Sequence, residues 1–301
     1  MSFNSYKNLD VSTKERICFI AFSRPEKRNA WNEHMRTELV HALDAANRNE
    51  DVRAIILTGN PAGRAFCAGA DLTSGSNFGE EFSKMGKKYD VAPGRKVDNG
   101  TFRDGGGVGA LAILRSTKPV ICAINGPAVG VGMTIACACD MRVAPLDTKV
   151  GFVFVRRGLA VETCSSLLLP RLVGMGKAME LVLTGRVFKT QQAPDGLFNY
   201  IVPKDQVLEK ATELAREIVD NCSGVSVALS RFALIRNAQL SPEEAHLAES
   251  RMIHYMSHSE DAKEGIVSFL DKREARFQMD PYRDLPQFFP WWKQIDTSSK
   301  L

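Results

Sequence analysis

The chain has 301 residues, 44% of them hydrophobic and 25% charged, with a formal net charge of +4. That is the composition of a soluble globular protein with apolar content for a full core, as one large domain with appendages or two small ones. Its basic residues are scattered rather than gathered into a stripe with interleaved aromatics, which argues against a nucleic-acid partner and leaves small anionic ligands open.

The N-terminus, Met1-Ser2-Phe3-Asn4-Ser5-Tyr6-Lys7, lacks the apolar core of a secretory signal. Residues 16–22 read as a buried strand and residues 23–29 as a basic loop. Asn32 is placed to cap a helix whose apolar stripe is Met35, Leu39, Ala42, Leu43 and Ala46. A second strand over 53–59 runs into Arg64-Ala65-Phe66-Cys67-Ala68-Gly69-Ala70-Asp71-Leu72. From 73 to 104 the chain turns to Gly, Ser, Lys, Asn and Asp, which predicts either a lid beside a site or a disordered insertion. A strand over 120–124, a helix over 130–139 and a strand over 141–144 follow, with Asn125-Gly126-Pro127-Ala128-Val129-Gly130-Val131-Gly132 at the first junction. The same Asn-Gly-Pro interrupts the longest apolar stretch, 119–144, which argues against a membrane span.

Asp140 is expected to cap its strand or pair with Arg142, and the seven cysteines, without metal-ligand spacing, to be buried free thiols in a reducing compartment. Beyond residue 160 the spacing turns helical, over 165–172, 177–184, 205–220, 225–238 and 242–258. The five histidines, 34, 41, 246, 254 and 258, show no arrangement for a metal or a nucleophile, and Trp291 and Trp292 are expected to clamp the tail onto the body. The final tripeptide Ser299-Lys300-Leu301 has the form of the peroxisomal import address, which predicts a peroxisomal location and an import receptor as partner. The alternation of strands and helices predicts an α/β core of stacked ββα units.

The informative chemistry lies in the two strand-to-helix junctions. Small residues let the backbone turn sharply, and a helix start leaves amide N–H groups unpaired. Two such amides can hold one oxygen that gains negative charge, an oxyanion hole. Taken singly, either segment also fits an ordinary tight turn.

These segments together resemble the crotonase superfamily, the enoyl-CoA hydratases and isomerases, from about Arg16 to Phe277. The resemblance is carried by Arg24-Pro25-Glu26-Lys27-Arg28-Asn29-Ala30, the Ala-Phe-Cys-Ala-Gly-Ala-Asp-Leu block, Lys118-Pro119-Val120 with the Asn-Gly-Pro-Ala-Val-Gly junction, and Phe269-Leu270-Asp271-Lys272-Arg273. It implies a spiral of ββα units over about 1–200, a C-terminal helical oligomerisation region over about 201–277, a tail over 278–301, and homotrimers or hexamers. It also implies an acyl-CoA thioester as substrate, with no metal or redox cofactor. By the same resemblance, Ala70 and Val131 supply the oxyanion amides. Lys27, Arg28 and Ala30 would line the nucleotide, Ala68, Asp71 and Leu72 the pantetheine and thioester, and Lys272 and Phe277 a neighbouring subunit's nucleotide.

The two glutamates of typical hydratases fall here at Thr134 and Phe154, neither of which moves a proton at neutral pH. The pattern is closest to that of peroxisomal Δ3,Δ2-enoyl-CoA isomerases, whose catalytic glutamate falls at Glu162. A solitary carboxylate suits migration of a double bond, taking a proton at C2 and returning it at C4. The leading expectation is therefore an isomerase. A hydratase or dehydratase of an unusual acyl-CoA is the second, and a silent acyl-CoA-binding protein the third. Leu159, Val161 and Leu167 near Glu162 predict an apolar surround that raises its pKa; the alternative is a surface residue of a first helical turn.

Overall fold

The structure, a computed structural model, describes residues 6–73 and 103–292. Most of the segment expected to be a lid or insertion, and the Ser299-Lys300-Leu301 tripeptide, lie outside the described residues.

A six-stranded sheet forms the centre. β1 (Leu9–Lys14) pairs antiparallel with β2 (Ile17–Phe22), and β3 (Ala54–Gly59), β4 (Val120–Ala123), β6 (Met141–Pro145) and β9 (Tyr200–Val202) continue it in parallel. A second sheet holds β5 (Ala128–Val129), β7 (Lys149–Gly151) and β8 (Val187–Lys189). The apolar strands of the main sheet show no polar face because both faces are covered. On one face Cys18, Ile20, Ile55, Leu57, Val120 and Cys122 meet α1 (Glu33–Arg48), and the stripe expected there, Met35, Leu39, Ala42, Leu43 and Ala46, is buried throughout. On the other, Ile17, Ala54, Ile56, Ile121 and Ala123 meet Val207, Ala211 and Ala215 of α6 (Val207–Asn221). Asn32 caps α1, its Oδ1 accepting from Met35 N at 2.8 Å.

Between these elements lie α2 (Gly105–Leu114), α3 (Val131–Ala138), α4 (Ser165–Val173) and α5 (Met175–Thr184); α7 (Gly224–Arg236), α8 (Pro242–Ser257) and α9 (Glu260–Leu270) complete the chain. The expected helices are present. α2 escapes pattern reading because it starts with three glycines, the poorest helix formers after proline, and its buried residues leave no polar face to mark a period. It is stabilised by tertiary burial and by its cap, the Asp104 carboxylate accepting from Gly107 N at 2.6 Å.

Asp140 does not pair with Arg142. Its carboxylate accepts from Val120 N at 2.7 Å and from Arg231 Nε at 2.8 Å, whereas Arg142 donates to the carbonyls of Cys139 and Leu197. Arg231, on α7, also donates to Ile113 O, Leu114 O and Ser116 O at 2.9, 3.2 and 2.7 Å. A buried guanidinium thus satisfies the orphan carbonyls at the C-terminus of α2. Trp291 and Trp292 stack with Phe289 and, through Trp292, with Phe232 of α7, as expected of a clamp. All seven cysteines are free, and among the described residues no single helix is long and apolar enough to cross a membrane.

Candidate active site

The two junctions singled out in the sequence are bonded to each other. Phe66 N donates to Pro127 O at 3.0 Å, Val129 N to Cys67 O at 3.2 Å, and Cys67 bridges Ala128. The first is also tied to the loop before α1, by Trp31 N to Gly69 O and Asp71 N to Trp31 O, both 2.8 Å. Each junction contains a glycine with positive φ, +101° at Gly69 and +55° at Gly130, a conformation that side chains resist. Each of these glycines is followed by an amide that points away from the ladder. Among the described residues the N–H groups of Ala70 and Val131 donate to no protein acceptor, while Gly130 N is bonded to Gly151 O at 2.9 Å and Met133 N to Gly130 O at 2.9 Å. Val131 opens α3, so its N–H has no intrahelical partner.

Both residues line one cavity of about 860 Å³. Its wall includes Ala68, Asp71, Leu72, Phe154, Asp104, Gly106 and Glu162. The structure thus brings together six of the expected site residues: Ala68, Ala70, Asp71, Leu72, Val131 and Glu162. Asp71 is spoken for by the protein. Burial pushes its pKa up, but hydrogen bonds from Thr73 and the Arg24 guanidinium, 2.7 Å away, outweigh this and hold it at about 2. Its carboxylate therefore pins the wall and moves no proton near neutral pH.

The expected nucleotide contacts lie elsewhere. Lys27 and Arg28 are exposed on the loop after β2, and Ala30 is buried, its carbonyl accepting from Arg24 at 2.7 Å. The Arg28 carbonyl accepts from Ala68 N at 3.2 Å, so this basic loop is joined to the cavity wall without lining the cavity. Lys272 is exposed just after α9, and Phe277 packs beside Gly265 with its carbonyl accepting from Arg53 at 3.3 Å. Neither reaches this chain's own cleft.

Glu162 lies outside any helix. Thr163 and Cys164 both adopt left-handed backbone angles, φ 60° and 57°, before α4 starts, and Ser165 N and Oγ close onto Glu162 O at 3.0 and 2.6 Å. That tight turn places the Glu162 side chain in the cleft. Its Oε1 accepts from Thr134 Oγ1 at 2.8 Å, and its Oε2 accepts from the Thr163 hydroxyl. Burial raises its pKa to about 7 against the pull of those two hydroxyls, and the neighbouring Asp104 raises it further. The direction is the expected one, but part of the cause differs: Leu167 is exposed, and the cover comes from the cavity wall and the glycine-rich start of α2. Thr134 and Phe154, which the resemblance sets at the two hydratase acid positions, both adjoin this carboxyl or its cleft, one as a hydroxyl donor and one as an apolar wall.

The expectation of a solitary carboxylate is corrected by Asp104. As the N-cap of α2 it lines the same cavity, close enough to raise the pKa of Glu162. The signal for it was the pattern Asp104-Gly105-Gly106-Gly107, a cap followed by residues that permit close approach, masked by its place at the end of a polar stretch. Among the described residues no three His, Cys, Asp or Glu side chains gather to hold a metal ion.

The family model described as enoyl-CoA hydratase/isomerase matches residues 12–280. An enoyl-CoA hydratase of Alternaria alternata is 40% identical over 281 residues, covering 92% of this chain and 88% of its own. A crotonyl-CoA hydratase of Syntrophomonas wolfei is 31% identical, covering 91% of this chain and 98% of its own. The crystal structure of an enoyl-CoA hydratase from Bacillus anthracis superimposes with a TM-score of 0.78 at 28% identity, over 90% of this chain and 99% of that one.

Proposed function

From the premise that the chain belongs to the enoyl-CoA hydratase/isomerase family, we propose that it adds water to, and removes it from, the double bond conjugated to an acyl-CoA thioester. The observation that carries this reading is the meeting, in one cleft, of two unpaired amides and a half-buried carboxyl whose pKa desolvation pushes up to about 7. The thioester oxygen accepts from Ala70 N and Val131 N, which draws electron density from C3 and stabilises the enolate that forms when a nucleophile bonds there. One lost donor of this kind costs about 2.7 to 4 kcal/mol in the transition state. Glu162, titrating near neutral pH, exchanges the proton that the reaction moves. The 40% identical relatives, themselves named enoyl-CoA hydratases, favour hydration over isomerisation.

Isomerisation of a 3-enoyl-CoA is the second reading. It is favoured by Thr134 and Phe154 standing where typical hydratases hold their acids. Purified protein incubated with crotonyl-CoA separates the two: loss of the conjugated thioester absorbance with formation of 3-hydroxybutyryl-CoA is the expected result. An inert crotonyl-CoA together with conjugation of a 3-enoyl-CoA would transfer the assignment to isomerisation, and no turnover of either would leave a binding protein. Lys27 and Arg28, on the loop joined to the wall by Ala68 N and Arg28 O, supply charge-assisted donors for CoA phosphates. Exposed Leu247, Ile253, Ile266, Phe269 and Leu270 on α8 and α9 support self-association, which light scattering after size exclusion tests.

A further inference from the structure

Neither acid position of typical hydratases carries an acid here, yet the cleft holds two carboxyls. Asp104 reaches it from the N-terminus of α2 and Glu162 from the turn before α4, and the backbone between them has been cleared of side chains. A Cβ on Gly106 would collide with the Glu162 carboxyl and the Thr163 hydroxyl, and one on Gly107 would sit 2.6 Å from Asp104 Oδ2. The two carboxyls are differently anchored. Asp104 Oδ1 accepts from Gly107 N at 2.6 Å, at a helix N-terminus that favours negative charge, whereas Glu162 accepts from two hydroxyl donors. Both carboxyls line one cavity, and like charges in a sheltered cleft repel, so a proton is retained there more readily than on a carboxyl in water.

We infer that Asp104 is the second carboxyl of the reaction and that it and Glu162 hold one proton between them, one acting on water and the other on C2. This deepens the hydration reading and rests on it for the chemical step. In the forward direction the ionised carboxylate takes a proton from water as the water oxygen bonds to C3. The electron pair of the C2–C3 double bond moves through C1 onto the thioester oxygen, held by the Ala70 and Val131 amides. The protonated carboxyl then gives its proton to C2 as the enolate collapses. One proton enters the pair and one leaves, so the site returns to its starting charge without an outside acid. A solitary carboxyl has to complete both transfers itself, which suits isomerisation; the pair suits water.

Asp104→Asn tests the assignment because asparagine caps a helix as well as aspartate does, so α2 is preserved. The expected result on crotonyl-CoA is a fall in kcat of about a hundredfold or more, with KM within about threefold and loss of one limb of the bell-shaped pH profile. A kcat within about threefold of wild type, with both limbs kept, overturns the role. A second measurement needs no turnover: carboxyl titration by 13C NMR of the whole protein, with Glu162→Gln assigning its resonance. Asp104→Asn should lower the Glu162 transition by about one pH unit, since a like charge has gone; an unmoved transition overturns the pairing. Coupled titration in a wild type that makes no 3-hydroxyacyl-CoA would keep the pair and reject the hydration reading, so the two failures are distinguishable.

Discussion

The Ala70 and Val131 side of the cleft is built from backbone. Its two turns exchange hydrogen bonds with each other, continue strands of the sheets, and carry a carboxylate, Asp71, whose proton is held off to about pH 2 by Arg24 and Thr73. The Glu162 and Asp104 side is built from side chains at the ends of helices. Its backbone is twisted at Thr163 and Cys164, and its carboxyl is pushed up to about pH 7. In the proposed reaction one region fixes where charge accumulates and the other keeps a proton available, and the burial that serves the second is overruled by donors in the first. Burial by itself therefore does not say what a carboxyl does; the donors around it decide.

Substitutions that strike one side only can break this contrast. The largest effect is expected for Glu162→Gln, which should lower kcat by about 10²- to 10⁴-fold with little change in KM, and steady-state kinetics on crotonyl-CoA would show it. The same variant tests the sign of the stability term. Glu162 binds its proton more tightly folded than unfolded, so its contribution to wild-type stability should be fully present below pH 4.5 and decline as pH rises to about 7. That decline should flatten in Glu162→Gln, as read by melting temperature across that range. Asp71→Asn should do the reverse, losing about 3 kcal/mol of stability at neutral pH because Arg24 is left with a poorly paired, largely buried charge. The Asp71 contribution is present above pH 3.8 and disappears toward pH 2, and urea unfolding at pH 7 and pH 3 would check it.

Gly130→Ala sharpens the contrast from the backbone side. An added Cβ meets Val153 and Gly69 at 3.8 and 3.9 Å, ordinary contacts, so its cost of about 1 to 3 kcal/mol comes from the φ of +55°. Activity should fall with stability as the Val131 amide is re-aimed. If kcat survived intact in a destabilised protein, that amide would not be holding the oxygen. The smallest effect is expected for Thr134→Val. Removing the donor to Glu162 Oε1 disfavours the anion, so the Glu162 limb of the pH-rate profile should move up, by less than about one unit. A downward move would show that the hydroxyl serves the protonated form.

The backbone side was legible in the sequence because glycines, small residues and flanking apolar strands are local signals. The α1 stripe from Met35 to Ala46 and the Asn32 cap were readable for the same reason. Glu162 is visible only through family resemblance; its local context alone reads better as a first helical turn, and the left-handed pair at Thr163 and Cys164 has no side-chain signature. Asp104 was missed because its meaning depends on an approach across 58 residues of chain, between a helix that propensity argues against and a turn that pattern cannot see. The partner of Asp140 differs from the expected Arg142 for a related reason: Arg142 is near in sequence, while Arg231 arrives from the far helical region.

That last contact reaches further than its own ion pair. A ten-residue helix is about 15 Å of stiff rod, and Arg231 grips the end of α2 opposite Asp104. The proton-handling wall thus takes its bearings from the outer helices, while the oxygen-holding wall takes them from the sheet. Any load borne by α7 is transmitted along that rod to one wall and not to the other.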